Sequence, residues 1–480
     1  MSRINTNIAS MNAISNLIGN NADLSTRLQR LSSGLRINTG KDDPAGLIAS
    51  ENLRSEIAGI NSAIDNSIRA SNVIATAEGA LNEINALLVD IKSLLVGTAN
   101  KGALSDEEID ANQLQVDSAI NTIERISNAT EFQGMKLLNG NRAYTVSGVA
   151  TGIIADYKIN QAKLLDGATM TVDITTVTSA DTGVVYLSAA VSTTPLTLQI
   201  GSGRGTTELT FAATTTVAQM RTAINAVAEI TGVSAIASGA TCTLLRSRDF
   251  GTDAYVSVNV LSGDQTGNGT SVMQTYGADT ATAKDYGRNY SATINGTSAI
   301  GNGKKLTIRT SMLDAELDLT AAAGLSTATE TFYITGGGAD FAIGPSVDAI
   351  GMESVGIQSV APSQLGNPTD GFLNTLKSGG ANALSGDNLY TAQSILDGAV
   401  KDITTLRGRL GAFQRNTLET NINSLRVTLE NITASESAIR DADFAAETAA
   451  LTRSQILVQA NTSVLSLANT MPQSVLALLG

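Results

Sequence analysis

Apolar residues recur at helical spacing over both ends of this chain and alternate with polar ones over its middle. Ile4, Ile8, Met11, Ile14 and Leu17, then Leu24, Leu28, Leu31 and Leu35, stand three or four apart and predict one apolar helix face. At the far end Leu457, Val464, Met471 and Leu478 repeat every seven residues, with Leu467 and Val475 between them and Leu451 and Ile456 just before. After Arg453 no side chain is charged, and from Ser2 to Ala22 only Arg3 is. Such helices are poorly solvated when free, so the seam at each end is expected to be covered by the other end of the chain and by copies of both.

Between these ends lie longer helical patterns. Asp42 and Asp43 before Pro44 suit a helix start, and Leu53, Ile57, Ile60, Ile64 and Ile68, then Leu81, Ile84, Leu88, Ile91 and Leu95, continue from it. At about 1.5 Å per residue, Pro44–Val96 predicts a rod roughly 80 Å long, which needs a partner helix beside it. After a break over Gly97–Gly102, Ser105 and Glu108 form a capping box for a helix through Ile109, Val116, Ile120, Ile123 and Ile126. Past residue 385 the period returns through Ile403, Leu406, Leu410, Phe413, Leu418, Ile422, Leu425, Leu429, Ile432 and Ile439, long enough to be that partner.

The texture changes at Phe132, before which there is no aromatic residue. Tyr255–Val260 and Leu306–Arg309 alternate as strands do, the Asn139/Gly140, Asn268/Gly269 and Asn295/Gly296 pairs predict hairpin turns, and one helix is expected over Val217–Val227. The expected fold is an α+β multidomain chain with long antiparallel, coiled-coil-like helices from both ends and a mostly β outer insert. Its expected divisions are residues 1–40, 41–140, 141–385 (one or two β domains), 386–440 and 441–480.

Composition narrows the function. The 480 residues carry a formal charge of -13 with no His, no Trp and one Cys, Cys242. A basic nucleic-acid footprint is absent, and acidity disfavours anionic membranes. Without His, Ser-His and Cys-His nucleophiles are impossible. Cys242 reads as a strand residue, Asp106–Glu108 as a dipole-matched helix start, and the Gly201/Gly203/Gly205 and Gly301–Lys304 stretches as turns, not phosphate loops. No catalytic, cofactor or metal residues are expected. Neither a secretory signal core nor a transmembrane-length stretch is read.

The chain resembles bacterial flagellin. The matching residues are Ile4–Asn7, Leu28–Asn38, Asp42, Asp43, Ala45, Gly46 and Glu78–Ile84, and, near the other end, Ser454–Leu457, Ala460, Thr462–Leu465, Ala468, Asn469, Pro472, Gln473, Val475 and Leu476. Within the insert, Val217–Ala226 with strands near Val233 and Leu244 is similar to a small module of some flagellin and hook-associated outer domains.

The resemblance implies a filament whose terminal helices form an inner tube, whose capped long helices form an outer tube, and whose insert projects. It also implies type III export, and a filament cap, hook-junction proteins and a secretion chaperone as partners. An assembly interface is then expected at Ile4, Ile8, Met11, Leu24, Leu28, Leu31, Leu35, Leu451, Ile456, Leu457, Val464, Leu467, Met471, Val475 and Leu478. Flagellins sensed by the receptor TLR5 carry Gln-Arg-Val-Arg-Glu-Leu where this chain has Val89, Asp90, Ile91, Lys92, Ser93 and Leu94, and a Glu near Gln115. Asp90 reverses a contact charge, so weak or absent TLR5 activation is expected. A hook-filament junction protein is the alternative, and an enzyme or lectin in the insert a remoter one.

Overall fold

The computed structural model describes residues 6–479 apart from 165–167, 189–194, 239–241, 263–273, 276–277, 280–281, 321–328, 349 and 387. The chain divides into two compact units. One comprises Met1–Ala70, Ala342–Gly351 and Arg415–Gly480, the other Ser71–Phe341 and Met352–Gln414.

In the first unit, helix α1 (Ile8–Ser33) opens on Asn7, whose side chain accepts from the Ser10 amide, and closes on Gly34 at φ 75°. That left-handed position is cheap only for glycine. The link to helix α2 (Pro44–Thr98, 55 residues) is held by Asp42, which accepts from the Asn38 and Thr39 amides and the Thr39 hydroxyl. Asp43 caps α2 by accepting from the Gly46 amide, as the acidic pair before Pro44 predicts. Leu425 packs on Ile60 and Ala63 of α2, and a Cβ on Gly59 would come within 2.6 Å of the Pro345 carbonyl oxygen.

In the second unit, helix α3 (Asp106–Ala129) starts at the full Ser105–Glu108 capping box the sequence predicts. Helices α4 (Val217–Ala226) and α5 (Ala228–Thr231) follow within the insert, α4 carrying a second capping box from Thr216 and Gln219. Helix α6 (Leu389–Ala412) runs antiparallel to the later part of α2, with ion pairs Lys92–Asp397 at 2.6 Å and Glu78–Arg407 at 3.9 Å and a hydrogen bond from Gln414 to Ser71. The long helix therefore has its expected partner, and it extends to Thr98, through Gly97 where a break is predicted.

After α6, Phe413–Glu419 widen into a π turn before helix α7 (Thr420–Arg440) and helix α8 (Phe444–Leu479). The seam carries the trace of this turn, because Phe413 and Leu418 are five residues apart where its other steps up to Ile432 are three or four.

The insert holds two apolar cores, one nested in the other. The first is built between two antiparallel sheets, five strands around Met170–Thr178 and four around Leu313–Leu319, with Val172, Phe332, Leu306 and Leu317 inside. Its Asn295/Gly296 pair makes the predicted hairpin turn at φ 50° and 75°. The second lies between a sheet containing Val184–Ser188 and one containing Tyr255–Ser262, closed by Met220 and Ile224 of α4.

The second body leaves and re-enters the first through paired backbones: the Asp181 amide donates to the Arg288 carbonyl at 2.9 Å and the Arg288 amide to Asp181 at 3.0 Å. Both glycine-rich stretches are hairpin turns, Gly201–Gly205 and Asn302–Lys305. Gly140 turns at φ 94°, but the Asn139/Gly140 pair closes no hairpin between named strands, which corrects that expectation. The Asn268/Gly269 pair lies outside the described residues.

Candidate functional site

The two ends do pair. Helices α1 and α8 run antiparallel: Asn7 Nδ2 donates to the Ala468 carbonyl, Ser10 Oγ to Asn469, and Ser454 Oγ to Asp23, while Arg27 Nη1 meets both Glu447 oxygens at 3.2 Å. A backbone bridge, Leu35 to Asp441, closes the far end of the pair.

The seam that makes this contact is only partly the one predicted: Leu17, Leu24 and Leu31 of α1 and Leu451 of α8 lie on it. On α8 the protected positions are Glu447, Leu451, Ser454, Val458, Asn461, Leu465 and Ala468, stepping by alternate fours and threes. On α1 they are Ser10, Ala13, Leu17, Asn20, Leu24, Arg27 and Leu31, in the same rhythm, with Ala13 only 4% exposed. This is a heptad contact between two helices, in which Leu or Val alternates with small, polar or charged side chains.

The expected seam of Leu457, Val464 and Met471, with Leu467, is turned out to solvent, as are Ile456, Ile8, Met11 and Leu28. Leu467 is 65% exposed and Met11 62%. The described residues of the other end therefore leave Leu457, Val464 and Leu467 uncovered, which corrects that expectation. Leu457 and Val464 each precede an inner residue, Val458 and Leu465, so the outer seam is rotated from the inner one by one residue, about 100° on an α-helix.

Of the expected interface residues, Leu24, Leu31 and Leu451 belong to the inner contact and Leu35 to the bridge at its end. Ile4 and the side chains of Val475 and Leu478 lie outside the described residues. The inner positions Ser10, Ala13, Asn20, Ser454, Asn461 and Ala468 escape an apolar-residue reading; a three-four repeat of small and polar residues is the signal that finds them.

The second candidate surface lies on α2 and α3. Val89 and Asp90 are exposed on α2, Ile91 is buried, and Lys92 is committed to Asp397. Leu94 is half-buried, and Gln115 is exposed on α3. Among the described residues no cluster of metal-ligating side chains and no helix able to cross a membrane is found. The arrangement offers non-covalent association through apolar seams.

Comparison with known proteins agrees. The bacterial flagellin N-terminal helical region matches residues 4–143, the bacterial flagellin C-terminal helical region 393–479, and the flagellin hook IN motif 195–241, the stretch that holds α4. B-type flagellin of Pseudomonas aeruginosa is 32% identical, flagellin of Salmonella typhimurium 30%, and flagellin of Salmonella muenchen 29%, each match covering 99% of both chains. End-to-end matches to flagellins favour a filament subunit over a hook-junction protein. With both helical regions and the full length accounted for, the chain belongs to the bacterial flagellin family, the structural subunits that polymerise into the flagellar filament of motile bacteria.

Proposed function

We propose that the outer seams of α1 and α8 are the surfaces through which copies of this chain join, with Ile8, Met11, Leu28, Ile456, Leu457, Val464, Leu467 and Met471 as contacts and Ile4, Val475 and Leu478 continuing them. The observation that carries this is the doubling of the apolar face. One seam is occupied within the chain, and a second, keeping the seven-residue repeat on α8 and marked by Ile8, Met11 and Leu28 on α1, stands exposed. Burying a leucine from that seam contributes about 1.5–3 kcal/mol before ordering costs, and a helix repeats the contribution every turn or two.

The test separates the two seams. Leu467→Asp should leave the monomer's thermal unfolding within about 0.5 kcal/mol of the parent and abolish sedimentable filaments. Leu465→Asp, on the inner seam, should also loosen α1 from α8, read as faster amide exchange in both helices. Filaments of normal length from Leu467→Asp would overturn the assignment.

The rest of the reading extends from this. The filament is extracellular, the subunit leaves through the flagellar type III apparatus, and the filament cap, hook-junction proteins and a secretion chaperone are its transient partners. The subunit acts by assembly, not catalysis. Exposed Asp90, where TLR5-sensed flagellins carry arginine, supports weak receptor activation. A reporter-cell assay should show little response to the parent and a larger one to Asp90→Arg; strong signalling by the parent contradicts this.

A further inference from the structure

The outward face of the four-stranded sheet in the first β body is charged, and it meets α6. Lys158 Nζ lies 2.6 Å from Asp402 Oδ1, and Arg409 Nη2 3.8 Å from Glu316, which Lys305 approaches to 3.7 Å from the next strand. Asp402 and Arg409 are seven residues apart, hence on one face of the helix. The second β body reaches α6 separately: Arg204 donates to the Tyr390 hydroxyl at 2.9 Å, stacks over its ring at 5.9 Å, and is oriented by two bonds to Asp249.

No residue of α6 belongs to either apolar core of the insert. The buried residues of α6, from Ala392 to Leu410, occupy its other positions. The charged patch is also imperfectly matched. Asp402 Oδ2 and Asp318 Oδ1 are buried without a hydrogen-bond partner. Burial pushes the Asp156 carboxyl above its ordinary value, Lys158 pulls it down, and Asp318 and Asp402 push it up again. An apolar interface between well-packed bodies would not leave carboxylates so placed, whereas one that opens to water would.

We propose that the two β bodies of the insert, residues 142–341, are fastened to α6 by two polar clasps, Lys158–Asp402 with Arg409–Glu316, and Arg204–Tyr390, and that they lift from the helix as an intact folded unit when these are broken, while residues 366–376 stay packed on it. Each β body keeps its own core, so lifting exposes charged and polar surface and costs the cores nothing. The clasps set the insert's position, and the cores set its stability.

The test measures the distance between the bodies in the full-length chain, with spin labels at Ile300→Cys and Thr404→Cys, both exposed, in a Cys242→Ser background. In this background one narrow distance population is expected. Asp402→Lys, made together with Arg409→Ala and Tyr390→Ala so that both clasps are open, should replace it with a broad one, while the far-UV circular dichroism of the strands is unchanged. Adding Lys158→Asp restores an opposite-charge pair and should bring the narrow population back.

Three results overturn the proposal: a distribution that stays narrow with both clasps removed, a broadening that the charge swap does not reverse, or loss of strand signal on opening, which would mean that insert and helix share one cooperative core.

Discussion

Asp117 shows how a single side chain ties distant parts of the sequence together. It accepts from Gln113 Nε2, from the Ser378 amide and from the Ser378 hydroxyl, joining α3 to the turn before α6. Burial pushes its carboxyl up, but the hydrogen bonds from Ser378 and Gln113 and the nearby Lys377 outweigh this, and the net shift is downward. Because the folded value lies below the unfolded one, the stabilisation is present above about pH 4 and is lost as pH falls through the lowered value. Asp117→Asn should cost about 1–3 kcal/mol at pH 7 and flatten the acid limb of a melting-temperature profile. A variant that melts with the parent's acid dependence would remove Asp117 from that limb. None of this is legible in sequence, since Asp117 and Ser378 are far apart in the chain and each looks like ordinary surface polarity. Ser105 and Glu108 were legible because their contact is local.

Among elements, the helices were readable wherever an apolar stripe is backed by charge. Ile84, Leu88 and Ile91 of α2 are fully buried, as their spacing predicts. On α1 and α8 the stripe was only half informative, because apolar residues cover more than one face and the inner contact alternates Leu or Val with Ala, Ser, Asn and a charged pair. Periodicity reports that a face is apolar and leaves open which neighbour will cover it. The π turn at Phe413–Glu419 is a case where one spacing, the five-residue step to Leu418, held the information. Deleting Arg415 should restore α-helical winding and rotate α7 by about 100°, carrying Leu425 off Ile60 and Ala63. The expected result is a loss of about 2–5 kcal/mol, similar to truncating a core leucine, seen as a lowered melting temperature. An unchanged melting curve would mean that the seam tolerates either winding.

At the scale of the molecule, the insert was recognisable as β from its alternation and turn residues, but its division into two cores was not. Strands of the first core come from both sides of the second, so sequence order hides the nesting. Only the pairing of Asp181 with Arg288 reveals where one body leaves the other. That pairing makes the inner segment separable. Replacing residues 183–286 with Gly-Gly should leave Val172, Leu317 and Phe332 packed and the chain able to form filaments. Circular dichroism and electron microscopy would check this, and unfolding of the remaining strands would show that the excised body props up the one that is left.

The small side chains between α1 and α8 have a mechanical corollary. Only every other inner position carries leucine or valine, the rest being small or polar, so prising these two helices apart takes less work than splitting a zipper that is apolar at both positions of each heptad. On the proposed export route, a polypeptide drawn out straight and rewound at its destination gains from a fastening that yields to a modest pull. On the proposed assembly, its permanent grip is supplied from outside, by neighbours that close over the leucines left facing the water.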